Sequence, residues 1–126
     1  MLKNENVVRE KSFKFAVRIV RLYQFLTNVE NTNREFIMSK QILKSGTSIG
    51  ANIHESRNAQ TVKDFLTKLY IASKEADETG YWLELLKETG YITEEQYDSM
   101  SQDCEEILKL LTSIIKTTKK NNPDLQ

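Results

Sequence analysis

From Lys11 to about Asn28 the apolar residues Phe13, Ala16, Val17, Val20, Tyr23 and Leu26 recur at intervals of three and four, which predicts a helix. Phe15, Ile19, Leu22 and Phe25 widen its apolar arc beyond a single stripe, and the polar remainder is narrow. Lys11, Lys14, Arg18 and Arg21 share one sector of the wheel, so the helix is apolar nearly all round with a basic spine. A helix this apolar needs a second surface to cover it, which predicts an oligomer.

The polar stretch at 29–32 reads as a connection, and Thr32 with Glu35 fits a capping box that opens a second helix. Its inward positions are Met38, Ile42, Ser45, Ile49, Asn52 or Ile53, and Ser56. Within it, SGTSIGAN at 45–52 places two glycines four apart among small residues. Each costs about 1 kcal/mol against alanine in a helix interior. Close approach by a neighbouring helix would offset that cost, while a kink is the competing reading.

Residues 57–61 form the next connection, with Thr61 as N-cap of a third helix and Asp64 complementing its N-terminus. Phe65, Leu69, Ala72, Ala76, Thr79, Leu83 and Leu86 give its stripe, flanked by Lys68, Ile71, Glu75, Glu78, Trp82 and Leu85. Gly90 reads as a left-handed stop, with Tyr91 or Ile92 folding back on the helix end. Thr93 and Gln96 then form a capping box, and Tyr97, Met100, Cys104, Ile107, Leu108, Leu111, Ile114 and Ile115 mark a fourth helix. Four such helices with short connections predict an all-α, antiparallel up-down-up-down four-helix bundle. Its expected limits are 12–118, with an N-terminal arm at 1–11 and a flexible tail at 119–126.

Composition narrows the chemistry. Among 126 residues there are only four Gly and one Pro, too few for the turns of a β-sandwich or the loops of a nucleotide-binding α/β fold. One Cys and one His argue against a disulfide framework, a His-based metal site or a His-dependent nucleophile. The 18 basic and 18 acidic residues cancel, yet residues 1–60 carry ten basic and five acidic, and residues 61–126 eight and thirteen. That asymmetry suits either a basic nucleic-acid surface or helices of opposite charge lying side by side, within or between subunits. The polar N-terminus and the lack of a long apolar run predict a cytoplasmic chain without a membrane partner.

Glu75 and Glu78 suggest carboxylate ligands of a di-iron bundle, but the only histidine, His54, precedes a Glu rather than following one at the required spacing. They are expected instead to pair with Lys68, Lys74 or a neighbouring helix, or to accept from Ser45, Thr47 or Asn52. Cys104 reads as a small core hydrophobe, Trp82 beside Tyr81 as a core or subunit anchor, and His54 with Glu55 as a surface or interface pair. No metal, no cofactor and no enzymatic activity are expected. The candidate nucleic-acid contacts are Lys11, Lys14, Arg18 and Arg21, which would meet RNA or DNA phosphates without reading sequence.

The segments SGTSIGANIHES at 45–56, KDFLTKLYIASKEADET at 63–79, YWLELL at 81–86 and GYI at 90–92 resemble the bacterial four-helix-bundle family known from intervening sequences of 23S rRNA genes. The resemblance marks Asn52, Glu55, Asp64, Phe65, Lys68, Ala72, Lys74, Glu75, Glu78, Tyr81 and Trp82 as characteristic positions. It implies a homopentamer with a central opening and no enzymatic activity. It also implies contact with nucleic acid or a protein partner, since a relative from diversity-generating retroelements binds both through a basic outer surface.

Overall fold

A computed structural model of the chain describes residues 2–125. Four helices follow in order: α1 (Leu2–Thr27), α2 (Met38–Ser56), α3 (Val62–Glu88) and α4 (Glu94–Asn121), with a last 3-10 turn at Pro123–Leu125. Each helix packs on its sequence neighbour, and α1 also meets α4. A single apolar core runs between them, from Val8 and Phe15 through Ile42, Ile49, Leu69 and Leu83 to Ile107 and Leu111.

α1 starts earlier than its apolar pattern predicts, and on a different stripe. Residues 2–11, expected as an arm, continue the helix, while Met1 lies outside the described residues. The side chains turned inward are Val8, Ser12, Phe15, Ile19 and Leu26, with Leu22 half-buried. Of the stripe expected to lead, only Leu26 is buried. Phe13 is 70% exposed, and Val20 is exposed beside it. The winning stripe is longer: steps of four and three carry it unbroken from Val8 to Leu26, whereas Asn6, Arg9 and Glu10 interrupt the other directly upstream of Phe13.

The small residues of α2 decide how α1 lies on it. A Cβ added to Gly46 would stand 2.7 Å from Ile19 Cγ1, and one added to Gly50 would stand 3.2 Å from the Ser12 carbonyl oxygen. α2 is unbroken through this segment, and the close approach of α1 accounts for the glycines. Ser45 and Thr79 join α2 to α3 in the core, their hydroxyl oxygens 2.9 Å apart.

The helix ends match the sequence reading at α3 and α4 and depart from it at α2. Thr61 accepts from the Asp64 N–H, and Thr93 with Gln96 forms a reciprocal capping box. Gly90 takes a φ of 84°, and the N–H groups of Tyr91 and Ile92 turn back to the Leu86 carbonyl. The expected Thr32–Glu35 capping box does not form, and the connection runs to Ile37 rather than closing at 32. Asn28 and Asn31 accept from the N–H groups two residues on, local turns that compete with helix. Glu35 is buried, and its carboxylate receives the N–H groups of Ile37, Met38 and Ser39 at 2.7–3.0 Å. It thus caps α2 from outside the helix. At the other end of the chain the expected tail is partly ordered: α4 continues through Asn121, and Asn122 Nδ2 donates to the Thr118 carbonyl. Gln126 lies outside the described residues.

Two expectations follow. Gly46→Ala should lower unfolding free energy by ~1–3 kcal/mol through crowding of Ile19, whereas Gly80→Ala, with nothing within 4 Å of the added carbon, should raise it by ~0.5–1 kcal/mol; urea titration reads both. By the same measurement Glu35→Ala should cost ~2 kcal/mol because three helix N–H groups lose their acceptor, while Thr32→Ala should stay within ~0.5 kcal/mol of the parent.

Candidate functional site

The basic spine of α1 faces α4. Lys11 Nζ lies 2.7 Å from Glu106 Oε1. Arg18 spans two groups, reaching Asp103 Oδ2 at 2.5 Å and donating to Ser99 Oγ at 2.8 Å. Lys14 turns back along its own helix to Glu10 at 3.0 Å. Arg21 is exposed and has no acidic partner among the described residues. Thus three of the four cations expected to meet phosphates already have carboxylate partners in the chain.

The partners Ser99, Asp103 and Glu106 carry a signal that the apolar pattern concealed. Spaced four and three apart, they form one polar stripe on α4, complementary to Lys11 and Arg18 seven apart on α1. Hydrogen bonding to Glu106, then the attraction of its charge, raises the Lys11 pKa above the ordinary lysine range. The Lys14 hydrogen bond and charge lower the Glu10 carboxyl in the same way. These groups lie in water, so each pair is weak alone; Lys11–Glu106 and Arg18–Asp103 serve mainly to orient α1 against α4, whereas Lys14–Glu10 lies within α1.

The family-marked residues do not converge on one site. Glu55 and Lys68 pair across α2 and α3 at 2.8 Å, which holds the Glu55 carboxyl below its usual range. Asn52 Nδ2 donates to the Ser48 carbonyl, Thr47 donates to Leu43, and Ser45 meets Thr79. The expected hydrogen bonds from these three to Glu75 or Glu78 are therefore absent, because nearer backbone and hydroxyl groups engage the donors. Glu78 accepts from Trp82 Nε1 at 3.0 Å, one turn along its own helix. Lys74 and the Asp64 side chain are exposed, and Phe65 is half-buried at the end of the core.

Two apolar faces remain outside. On α1, Phe13 and Val20 are exposed, with Ala16 and Val17 half-buried between them. Thr47, Gly50, Ala51 and His54 of α2 complete a groove of about 880 Å³ beside Phe13. On α3, Ile71 and Tyr81 are exposed next to half-buried Trp82 and Leu85. Tyr81 meets Trp82 edge-on, with ring centroids 5.1 Å apart. Acidic Glu75 and Glu78 interrupt this second face between Ile71 and Trp82, and Lys14 and Arg21 flank the first.

Cys104 sits in the core with its thiol 3.3 Å from the Ala76 carbonyl. Burial, reinforced by Asp77, Glu105 and Asp103, pushes its pKa up to about 12, so the nucleophilic thiolate is disfavoured near neutrality. Among the described residues no group of three His, Cys, Asp or Glu side chains is placed to hold a metal ion. No described helix is long and apolar enough to cross a membrane.

The fold and surfaces define an all-helical protein of four long helices around one core. The 23S rRNA-intervening sequence protein family matches residues 4–113, and the chain belongs to that family. It is similar to a crystal structure from Bacteroides thetaiotaomicron VPI-5482, a protein of unknown function from the S23 ribosomal protein family, at 63% identity and a TM-score of 0.85. That similarity covers 90% of this chain and 98% of the other. The chain matches no curated protein.

If Arg18 orients α1 on α4, Arg18→Glu should lower stability to urea by ~1 kcal/mol, and adding Asp103→Arg should recover most of the loss. Arg21→Glu should leave stability unchanged.

Proposed function

We propose that the chain is a non-enzymatic scaffold: an antiparallel up-down-up-down four-helix bundle that assembles side by side into a closed ring of identical copies. The antiparallel course is supported by the pairings Lys11 with Glu106, Arg18 with Ser99 and Asp103, Glu55 with Lys68, and Ser45 with Thr79, in which later residues of one helix meet earlier residues of the next.

The observation that carries the assembly is the pair of uncovered apolar faces on α1 and α3. These helices occupy opposite corners of the bundle, so one copy could offer its α1 face to the α3 face of the next. Phe13, Val17 and Val20 would meet Ile71, Tyr81 and Trp82, and Lys14 and Arg21 would approach Glu75 and Glu78 at the rim. Contact between two different patches is heterologous, and such contacts form rings when the rotation between copies closes. Five copies is the number implied by the family resemblance. In this arrangement the apolar centre supplies most of the attraction, while the charges select orientation.

A low-specificity nucleic-acid role for the α1 spine has less support, because Lys11 and Arg18 are held by α4 and Lys14 by Glu10. A polyanion would have to displace those carboxylates.

Sedimentation of the purified chain at micromolar concentration tests the proposal. The parent should run well above its 14.7 kDa subunit mass, and Phe13→Asp and Trp82→Asp should each return it to the subunit while leaving helical circular dichroism intact. A parent that remains a single subunit would refute the scaffold.

A further inference from the structure

The antiparallel course proposed above gives the bundle two ends of opposite character. One end gathers the start of α1, the α2–α3 connection and the end of α4. Divided across the helix midpoints, the chain places twelve basic and five acidic residues in this half, at 1–14, 50–74 and 109–126. The other half, at 15–49 and 75–108, holds six basic and thirteen acidic. A chain without net charge is therefore strongly polarised along its long axis.

The ends also differ in shape. At the acidic end the α1–α2 connection projects Val29 and Ile37, 80% and 76% exposed, beside the exposed ring of Phe36. This knob is held in place: Asn31 Nδ2 donates to the Phe25 carbonyl, the Glu35 N–H to Leu26, and Asn33 Nδ2 to Gly90 in the α3–α4 turn. At the basic end a cavity of about 630 Å³ opens between α1, the α2–α3 connection and α4. Core residues Val8, Ile53, Leu69 and Ile114 form its floor, and Arg9 and Arg57 stand among its lining.

We propose that these ends dock on one another in successive copies, the Val29–Phe36–Ile37 knob of one chain entering the basic-end hollow of the next. Apolar surface meets an apolar floor, and Glu30, Glu88, Glu94 and Glu95, of which Glu88 and Glu94 also pair with Lys87, meet a lining in which Arg9 and Arg57 outnumber Glu5. The contact is heterologous along the bundle axis, so each added copy leaves one free knob and one free hollow, and the stack stays open unless its rotation closes. It uses neither Phe13 nor the α3 face, although Arg9 and Arg57 border both the hollow and the groove beside Phe13, and it extends the lateral scaffold along a second direction.

Disulfide trapping tests this with the full chain. Ile37→Cys places a thiol on the knob, and Gln60→Cys places one at the hollow; native Cys104 is buried and does not compete. Oxidation of an equimolar mixture at low ionic strength, with one variant tagged, should make heterodimer nearly all of the covalent dimer, against the half that random pairing gives, and a chain carrying both substitutions should give a ladder of covalent multimers on a denaturing gel. High salt should suppress the product, as should Phe36→Asp, whereas Phe13→Asp should leave it intact even where it abolishes lateral assembly. Heterodimer at or below its statistical share, or a predominance of Ile37→Cys homodimer, would overturn head-to-tail docking. So would retention of an RNA oligonucleotide by the basic end with no heterodimer, which would assign that end to a polyanion.

Discussion

The approach of α1 to the glycines of α2 is the constraint on which the rest depends. Ile19 can lie as it does over Gly46 only because that glycine carries no Cβ, and a Cβ on Gly50 would crowd the Ser12 carbonyl. Once those contacts are made, the rotation of α1 about its own axis is fixed. Val8, Ser12, Phe15, Ile19 and Leu26 then face the core, Lys11 and Arg18 face α4, and Phe13 and Val20 are left outside. The helix propensity lost at two glycines is offset by dispersion contact along a shortened interhelical distance. One packing decision thereby determines which cations are neutralised and which apolar residues stay available.

That rotation also changes the meaning of the charge asymmetry between the two halves of the sequence. A basic first helix and an acidic start to the last helix look, in one dimension, like a surface awaiting an external partner. In the fold they are neighbours, and much of the asymmetry closes on itself between Lys11, Arg18, Ser99, Asp103 and Glu106. Apart from that seam, the charges matter most where side-by-side helices do not cancel them, at the two ends and along the outer edge of α3.

The architecture was legible because several independent local signals agree. Thr61, Gly90, Thr93 and Gln96 mark helix ends by geometry that needs only neighbouring residues, and the α3 and α4 stripes continue for many turns. α1 was harder because two apolar stripes compete on one helix, and periodicity alone cannot say which one the glycines of α2 will select. The start of α2 is illegible in the sequence for a related reason. Thr32 and Glu35 have capping-box spacing, but the asparagine turns hold the backbone out of the helix, and Glu35 reaches forward to three N–H groups instead. Lys11, Lys14, Arg18 and Arg21 share one sector of α1 in the sequence, whereas the partners of Lys11 and Arg18 follow only from α4 lying beside α1. Spacing within a helix is local information; which helix stands opposite is not.

The two proposed directions of assembly place different demands on electrostatics. Copies standing parallel in a ring bring like ends side by side, which opposes lateral contact. At physiological ionic strength the Debye length is about 8 Å, shorter than the ~10 Å diameter of a single helix, so this repulsion is largely screened across a whole bundle. Lateral attraction must then come from atoms in direct contact, which is the role available to Phe13 and Trp82. Along the axis the opposed ends would approach within a few ångströms of each other, inside the screening length, where complementary charge can act. The apolar faces are therefore suited to holding a ring together, and the charged ends to deciding which way up the next copy sits.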